Sequence, residues 1–228
     1  MRRLRVVSFN ILHGRRADGS GIVDLPLLCR AAAALEPDVL ALQEVDVGVP
    51  RSGRADQAAA VAKATGLDVV FGRAARVGGI GKYGNALLAR GTITEVERVA
   101  LPKADRGNEP RAAIVASTLG LTVAATHLSI HRPEVHDQLR AVVDRLVARP
   151  GPHVLVGDLN LHPPDVAPVV EAARLGLADV TQPTFPRNDP TSRIDHVAVS
   201  VEVEVVGVEV VATDSSDHCA LVVEIGIP

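Results

Sequence analysis

Short runs of Val, Leu, Ile and Ala recur along the chain, each closed by a polar or glycine-rich stretch. Such runs at 4–9, 39–42, 86–89, 113–117, 121–125, 153–156, 194–199, 203–211 and 220–225 predict β-strands. Helix-like patterns lie between several of them, at 26–35 behind Asp24, at 56–64, at 133–148 opening on a proline, and at 168–175. Segments 113–117 and 121–125 follow one another with no helix between them, as do 194–199 and 203–211, which predicts antiparallel hairpins. Hairpins mixed with helical connections fit an α/β layered architecture better than a plain doubly wound parallel sheet. Loops are predicted where Gly, Pro and charge cluster, at 13–22, 46–56, 72–84, 102–111 and 181–193. No linker divides the 228 residues, so one domain over 1–228 is expected. A faint echo links Phe9-Asn10-Ile11-Leu12-His13 with Leu159-Asn160-Leu161-His162; it could reflect two related halves, but is short enough to be coincidence.

Aromatic residues are almost absent, with no Trp, one Tyr and three Phe, so the core is expected to be aliphatic. Single-stranded nucleic acid is commonly gripped by stacking bases on aromatic side chains, at about 1–3 kcal/mol each. This chain has few to offer, and its formal charge of -3 gives no general attraction to a polyanion. Met1 to Arg5 is basic, but the apolar stretch behind it is interrupted at Ser8, Asn10 and His13 and is too short for export. No segment approaches the roughly 18 uninterrupted apolar residues of a membrane span. A soluble, cytoplasmic monomer is the expectation. Cys29 in a helical segment and Cys219 in a strand have neither the number nor the spacing of a disulfide framework or zinc site, and both read as reduced core residues.

The chemistry is carried by what ends the strands. One apolar run after another gives way to an amide, a carboxylate or an imidazole: Asn10, Glu44, His127, Asp158 with Asn160, Asp195, and Asp217 with His218. Strand ends hold such groups rigidly yet exposed. Taken singly each has a plain structural reading: Asn10 as a cap, Glu44 as a solvated strand end, His127 as a satisfied core histidine, and Gly157-Asp158 and Ser215-Ser216-Asp217 as turns. Together they supply hard oxygen ligands, which select magnesium or manganese over zinc.

The stretches Ser-Phe-Asn-Ile, Leu-Gln-Glu-Val, Thr-His-Leu, Gly-Asp-Leu-Asn, Arg-Ile-Asp-His and Ser-Asp-His-Cys-Ala-Leu, in that order from residue 8 to about 221, resemble the successive signatures of the endonuclease/exonuclease/phosphatase superfamily. The resemblance implies a four-layered α/β sandwich, two mixed sheets packed face to face with helices outside and the active site at one edge. It implies that Glu44 and Asn10 hold Mg2+, with Mn2+ as a substitute, and that Asp217 adds a carboxylate on the metal side. Asp158 is expected to orient the attacking water or help bind metal, and Asn160 to hydrogen-bond a phosphoryl oxygen. His218 is expected to pair with Asp195 and, with an ordinary pKa near ~6.5, to accept a proton from water at neutral pH. His127 would donate to the phosphoryl oxygens as charge builds. Asn85 in Tyr83-Gly84-Asn85-Ala86 resembles an Asn near the phosphate in some members, against a plain Gly-Asn turn, and Arg111 is a candidate substrate contact or a surface charge. His13, His131, His136 and His162 receive no catalytic role, and that of His196 stays open.

These residues point to the bond more than to the substrate. The loops are short, with Arg73, Arg76 and Lys82 in one and Lys103 and Arg106 in another as candidate phosphate contacts. No bulky apolar wedge of the kind used on damaged DNA stands out. The expected activity is hydrolysis of a small phosphoester or lipid-like headgroup, mono or di, by in-line attack of water. A nuclease is the alternative, and a binding module that keeps the fold without turnover is a third reading that the full residue set argues against.

Overall fold

The structure is a computed structural model that describes residues 1–105, 107–132 and 134–227; Arg106 and Pro133, both singled out in the sequence, lie outside the described residues. In chain order the elements are β1 (Arg2–Asn10), α1 (Leu25–Ala34), β2 (Val39–Val47), α2 (Gln57–Thr65), β3 (Asp68–Val77), β4 (Gly81–Ala89), β5 (Thr94–Ala100), β6 (Ala112–Thr118), β7 (Leu121–His127), α3 (Glu134–Val147), β8 (His153–Asp158), α4 (Pro163–Ala172), β9 (Leu175–Leu177), β10 (Asp195–Ser200), β11 (Glu204–Val211) and β12 (Ala220–Ile227). Asp24 and Asp56 cap α1 and α2, accepting from the backbone N–H of Leu27 and Ala59 at 2.9 Å each; such a cap contributes about 1 kcal/mol.

The strands form two six-stranded mixed sheets, in the orders β11-β12-β1-β2-β4-β3 and β5-β6-β7-β8-β10-β9. Leu4, Val6, Val39 and Leu87 of the first sheet pack against Ile114, Val123, Val154 and Val197 of the second in an aliphatic core between them. Neighbouring residues on the same strands, such as Val7, Phe9 and Leu40, turn outward under α1 and α2. Leu139, Val142 and Val166 of α3 and α4 cover the second sheet. Central strands are therefore buried on both faces, which is why they read as continuous apolar runs. The result is the expected four-layered sandwich.

The two sheets repeat one pattern. From the first strand to the last of each order, the pairings run antiparallel, antiparallel, parallel, antiparallel, antiparallel. Helices α1 and α3 make the parallel crossovers, so β1 corresponds to β7 and β2 to β8. Each half gives four strands to one sheet and a hairpin to the other. The sequence echo does not mark this repeat, because Asn10 ends β1 whereas Asn160 follows β8, the counterpart of β2.

Several expectations are corrected. Segments 113–117 and 121–125 do pair as a hairpin, but 194–199 and 203–211 do not: β10 pairs with β8 and β9 in one sheet and β11 with β12 in the other. The turn at Val201-Glu202 carries the chain between sheets. The glycine-rich stretch 72–84 is mostly the β3–β4 hairpin, and α4 begins at Pro163, with Pro168 inside it. Cys219 precedes β12, and Cys29 is only partly buried, though both are free thiols. Among the described residues no helix is long and apolar enough to cross a membrane.

Candidate active site

One edge of the sandwich gathers the C-terminal ends of β1, β2, β7 and β8 with the N-terminal ends of β10 and β12. On the second sheet, register places His127 beside Asp158 and Asp158 beside Asp195, a row across three adjacent strands. Gly157 permits it: at φ 154 it lies so close to β7 that a Cβ would overlap the Thr126 carbonyl oxygen. On the first sheet, β2 bulges between Leu42 and Val45. Glu44 sits in this bulge at φ 58, a strained conformation that re-aims its side chain toward the edge.

The polar groups then form a continuous chain. Asn10 Nδ2 donates to Glu44 Oε1 at 3.3 Å and to Asp158 Oδ2 at 3.0 Å, joining the two sheets. Asp158 Oδ1 accepts from the Asn160 backbone N–H at 3.1 Å, and Asn160 Nδ2 donates to the Leu128 carbonyl at 2.9 Å. His218 Nδ1 faces Asp195 Oδ2 at 2.9 Å, and its Nε2 lies 3.8 Å from Asp158 Oδ2. His127 Nε2 lies 3.5 Å from the same oxygen. Arg111 Nη1 stands 3.1 Å from His127 Nδ1 and 2.9 Å from Glu109. A guanidinium only donates, so His127 carries its proton on Nε2, facing the site.

Six residues from the sequence reading, Asn10, Glu44, His127, Asp158, Asp195 and His218, are thus linked in one chain of contacts. Asn160 and Arg111 attach directly behind them. Asp217 is adjacent through its backbone, and its carboxylate faces the Ser216 hydroxyl at 3.4 Å. Asn85 is buried on β4 and donates to the Ala112 carbonyl at 2.7 Å, bridging the sheets rather than joining the carboxylates. His196 is a core residue bound to the Leu161 carbonyl; burial lowers its pKa to about 4.

Sequence reasoning missed four participants. Ser216 donates to the Asn10 carbonyl at 2.6 Å and accepts from the His218 N–H, fastening the His218 segment to β1. Phe185 packs on the His218 ring with centroids 4.6 Å apart. His13 Nε2 lies 3.2 Å from Glu44 Oε2, and Arg51 stands behind His13. All four sit in turns or loops, where no periodicity flags them.

Electrostatics separate the titratable groups. Burial, reinforced by the Asp195 charge, pushes the Asp158 carboxyl up to about 7. Burial alone would lower the His218 pKa, but the charge and hydrogen bond of Asp195, with Asp158 beyond, push it up to about 10. Burial and the Arg111 charge hold His127 well below the ordinary imidazole value. These shifts disfavour the charged forms of His127 and Asp158 and favour that of His218.

The sequence matches the Endonuclease/Exonuclease/phosphatase family over residues 7–218. An endonuclease/exonuclease/phosphatase of Beutenbergia cavernae DSM 12333 has a similar structure, with a TM-score of 0.80 at 25% identity over 100% of this chain and 72% of that one. A mannosyl-6-phosphatase of Bacteroides thetaiotaomicron VPI-5482 shares the fold with a TM-score of 0.77 at 19% identity, over 98% of this chain and 100% of its own. Truncated Caenorhabditis elegans TDP2 does so with a TM-score of 0.69 at 21% identity, over 98% and 97%. Among curated proteins no match is found. The family signature over nearly the whole chain, on this fold and with these strand-end residues, shows that the chain belongs to the endonuclease/exonuclease/phosphatase family.

Proposed function

We propose that the chain is a divalent-metal-dependent hydrolase of small phosphoesters or lipid-like headgroups, acting by in-line attack of water. The observation that carries this reading is the unbroken chain Glu44–Asn10–Asp158–His218–Asp195, which puts three carboxylates, an amide and an imidazole at one edge. The donor set fits a hard cation: Glu44 and Asp158 carboxylate oxygens are drawn to one amide. Asp158, Asp195 and His218 also offer ligand atoms within 4.8 Å of one another, but Asp195 and His218 spend their facing atoms on each other. Glu44 and Asn10, with Asp217 alongside, are therefore the residues that would hold the ion. When bound, it neutralises charge on the phosphoryl group and the departing oxygen.

The protein's own groups divide the remaining work. An imidazole of ordinary pKa was the expected base, but Asp195 pushes the His218 pKa up to about 10, which favours its protonated form. The base is Asp158, whose carboxylate accepts the proton of water as its oxygen attacks phosphorus. His218, held by Asp195, presents Nε2–H to a phosphoryl oxygen. Neutral His127 presents its own Nε2–H, and Asn160 has a second amide proton to offer.

Beside Ala112, one residue from Arg111, a groove of about 580 Å³ opens between the edges of the two sheets. Val69, Val70, Phe71 and Val99 line it, with Arg73, Lys82 and Arg98 among its lining. An apolar floor with cationic groups suits a phosphoester carrying an apolar group, which supports the headgroup reading. Arg73→Glu with Lys82→Glu is expected to raise KM for such a substrate by roughly 3- to 10-fold at unchanged kcat, the size of two exposed charge contacts. An unchanged KM would remove the groove from the substrate path.

The deciding assay compares an activated phosphodiester, an activated phosphomonoester and plasmid DNA, each with Mg2+, Mn2+ or chelator. Turnover is expected to need the cation and to fall by about 100-fold or more in Glu44→Ala and His218→Ala. Full activity in chelator, or in Glu44→Ala, would sink the proposal. Turnover confined to plasmid DNA with steep salt dependence would favour the nuclease.

A further inference from the structure

At the Glu44 carboxylate oxygen that Asn10 does not contact stands a second polar assembly that the chemistry above does not use. His13 Nε2 lies 3.2 Å from Glu44 Oε2, and His13 Nδ1 lies 3.0 Å from Arg51 Nη2. Since Arg51 can only donate, Nδ1 is the accepting nitrogen, and the imidazole proton on Nε2 is donated to Glu44. Nδ1 also passes 3.2 Å from the Glu44 carbonyl oxygen. A proton on Nδ1 would satisfy that oxygen but would meet an Arg51 N–H head on. Without a proton on Nε2 it would also leave a lone pair facing the Glu44 carboxylate.

Arg51 is itself fixed. Its Nε and Nη2 bind the two carboxylate oxygens of Asp46 at 2.8 and 2.9 Å, with Asp46 fully buried. The guanidinium lies over the Tyr83 ring, 5.5 Å from its centroid. The backbone of Asp46 donates to Gln57 Oε1 at 2.9 Å, and Gln57 Nε2 donates to the His13 carbonyl at 2.5 Å. His13, Arg51, Asp46 and Gln57 therefore close a ring. That ring ties together two strained segments: Leu12, His13 and Gly14 at φ 44, 55 and 75, and Glu44 at φ 58. Such conformations persist only where the surroundings over-determine them.

We propose that His13, oriented by Arg51 and Asp46 and fastened by Gln57, is a positioning residue that fixes the Glu44 carboxylate for cation binding. The inference rests on the phosphoesterase reading only through the role of Glu44. Partners behind a ligand set its aim, and their loss typically weakens metal affinity about 10- to 100-fold.

The test is Mn2+ binding to the full chain without substrate, followed by the electron paramagnetic resonance signal of the free ion. His13→Ala is expected to raise the dissociation constant about 10-fold or more, and His13→Gln, whose amide N–H reaches toward Glu44, to restore most of the affinity. His13→Asn tolerates the left-handed backbone but falls short of Glu44, so it should fold like the parent and bind like His13→Ala. Arg51→Ala is expected to weaken binding alone yet to add less than about twofold on top of His13→Ala, because it acts through that ring. Parent-like binding in folded His13→Asn, or a full Arg51 effect without His13, overturns the inference. A parent that holds no Mn2+, or holds it equally as Glu44→Gln, fails the phosphoesterase reading first and this inference with it.

Discussion

Asp158→Asn is expected to lower kcat/KM by about 10³- to 10⁴-fold, the upper range for loss of a positioned proton acceptor. The substitution keeps the shape of the side chain, but Asn10 and the Asn160 N–H donate to different carboxylate oxygens, and the one oxygen of the amide can serve only one of them. It cannot take a proton from water. It removes a buried charge from beside Asp195 but also one that faces His218, and it gives up an accepted hydrogen bond, so a modest fall in melting temperature is expected. A variant that loses this much activity while still fully folded at the assay temperature would separate a catalytic role from a structural one. Retention of more than about a tenth of parent activity would exclude Asp158 as the base.

The same electrostatics give the sign of the pH dependence. Rising pH ionises Asp158, so activity should climb through a limb at or below about 7, lower when a cation stabilises the ionised form. Activity should fall again as His218 loses its proton toward about 10. Asp195→Asn removes the principal cause that raises His218 and should draw the alkaline limb down. Titration of the His218 ring by nuclear magnetic resonance in the cation-free protein reads this shift directly, and an unmoved His218 would refute the pairing.

What was legible in the sequence follows from burial. Strands β1, β2, β7 and β8 are covered on both faces and announce themselves as apolar runs, and the polar residues that end them stand out against those runs. The three strands missed, β3, β5 and β9, are all outermost in their sheets. Edge strands are half solvated, so Arg73 and Arg76 on β3, and Glu95, Glu97 and Arg98 on β5, blur the pattern. The fourth edge, β11, was seen because of its valines but given the wrong partner. Which sheet a strand joins is decided by contacts distant in sequence, and the turn at Val201-Glu202 carries no mark of the crossing. Likewise His13, Arg51 and Gln57 are ordinary loop or helix-start residues until folding brings 13, 51 and 57 around Glu44.

Gly157→Ala is expected to cost on the order of 3–5 kcal/mol, the sum of an unfavourable backbone conformation and an overpacked contact. The new Cβ would meet backbone, the Thr126 carbonyl oxygen with Thr126 N behind it, rather than the movable end of a side chain. Relief requires β7 and β8 to part where His127, Asp158 and Asp195 are held in register. The site and the fold should therefore fail together: a melting temperature lower by about 10 °C and activity reduced even at temperatures where the variant is folded. Gly176→Ala is the matched control, since a Cβ on that strand residue meets nothing within 4 Å. It should shift stability by no more than about 0.5 kcal/mol. Comparable losses at both positions in urea unfolding would mean that the cost is a general penalty on replacing strand glycines. A large loss at Gly157 alone ties the close approach of β7 and β8 to the row of His127, Asp158 and Asp195, because the absent side chain at 157 is what lets three strands present them side by side.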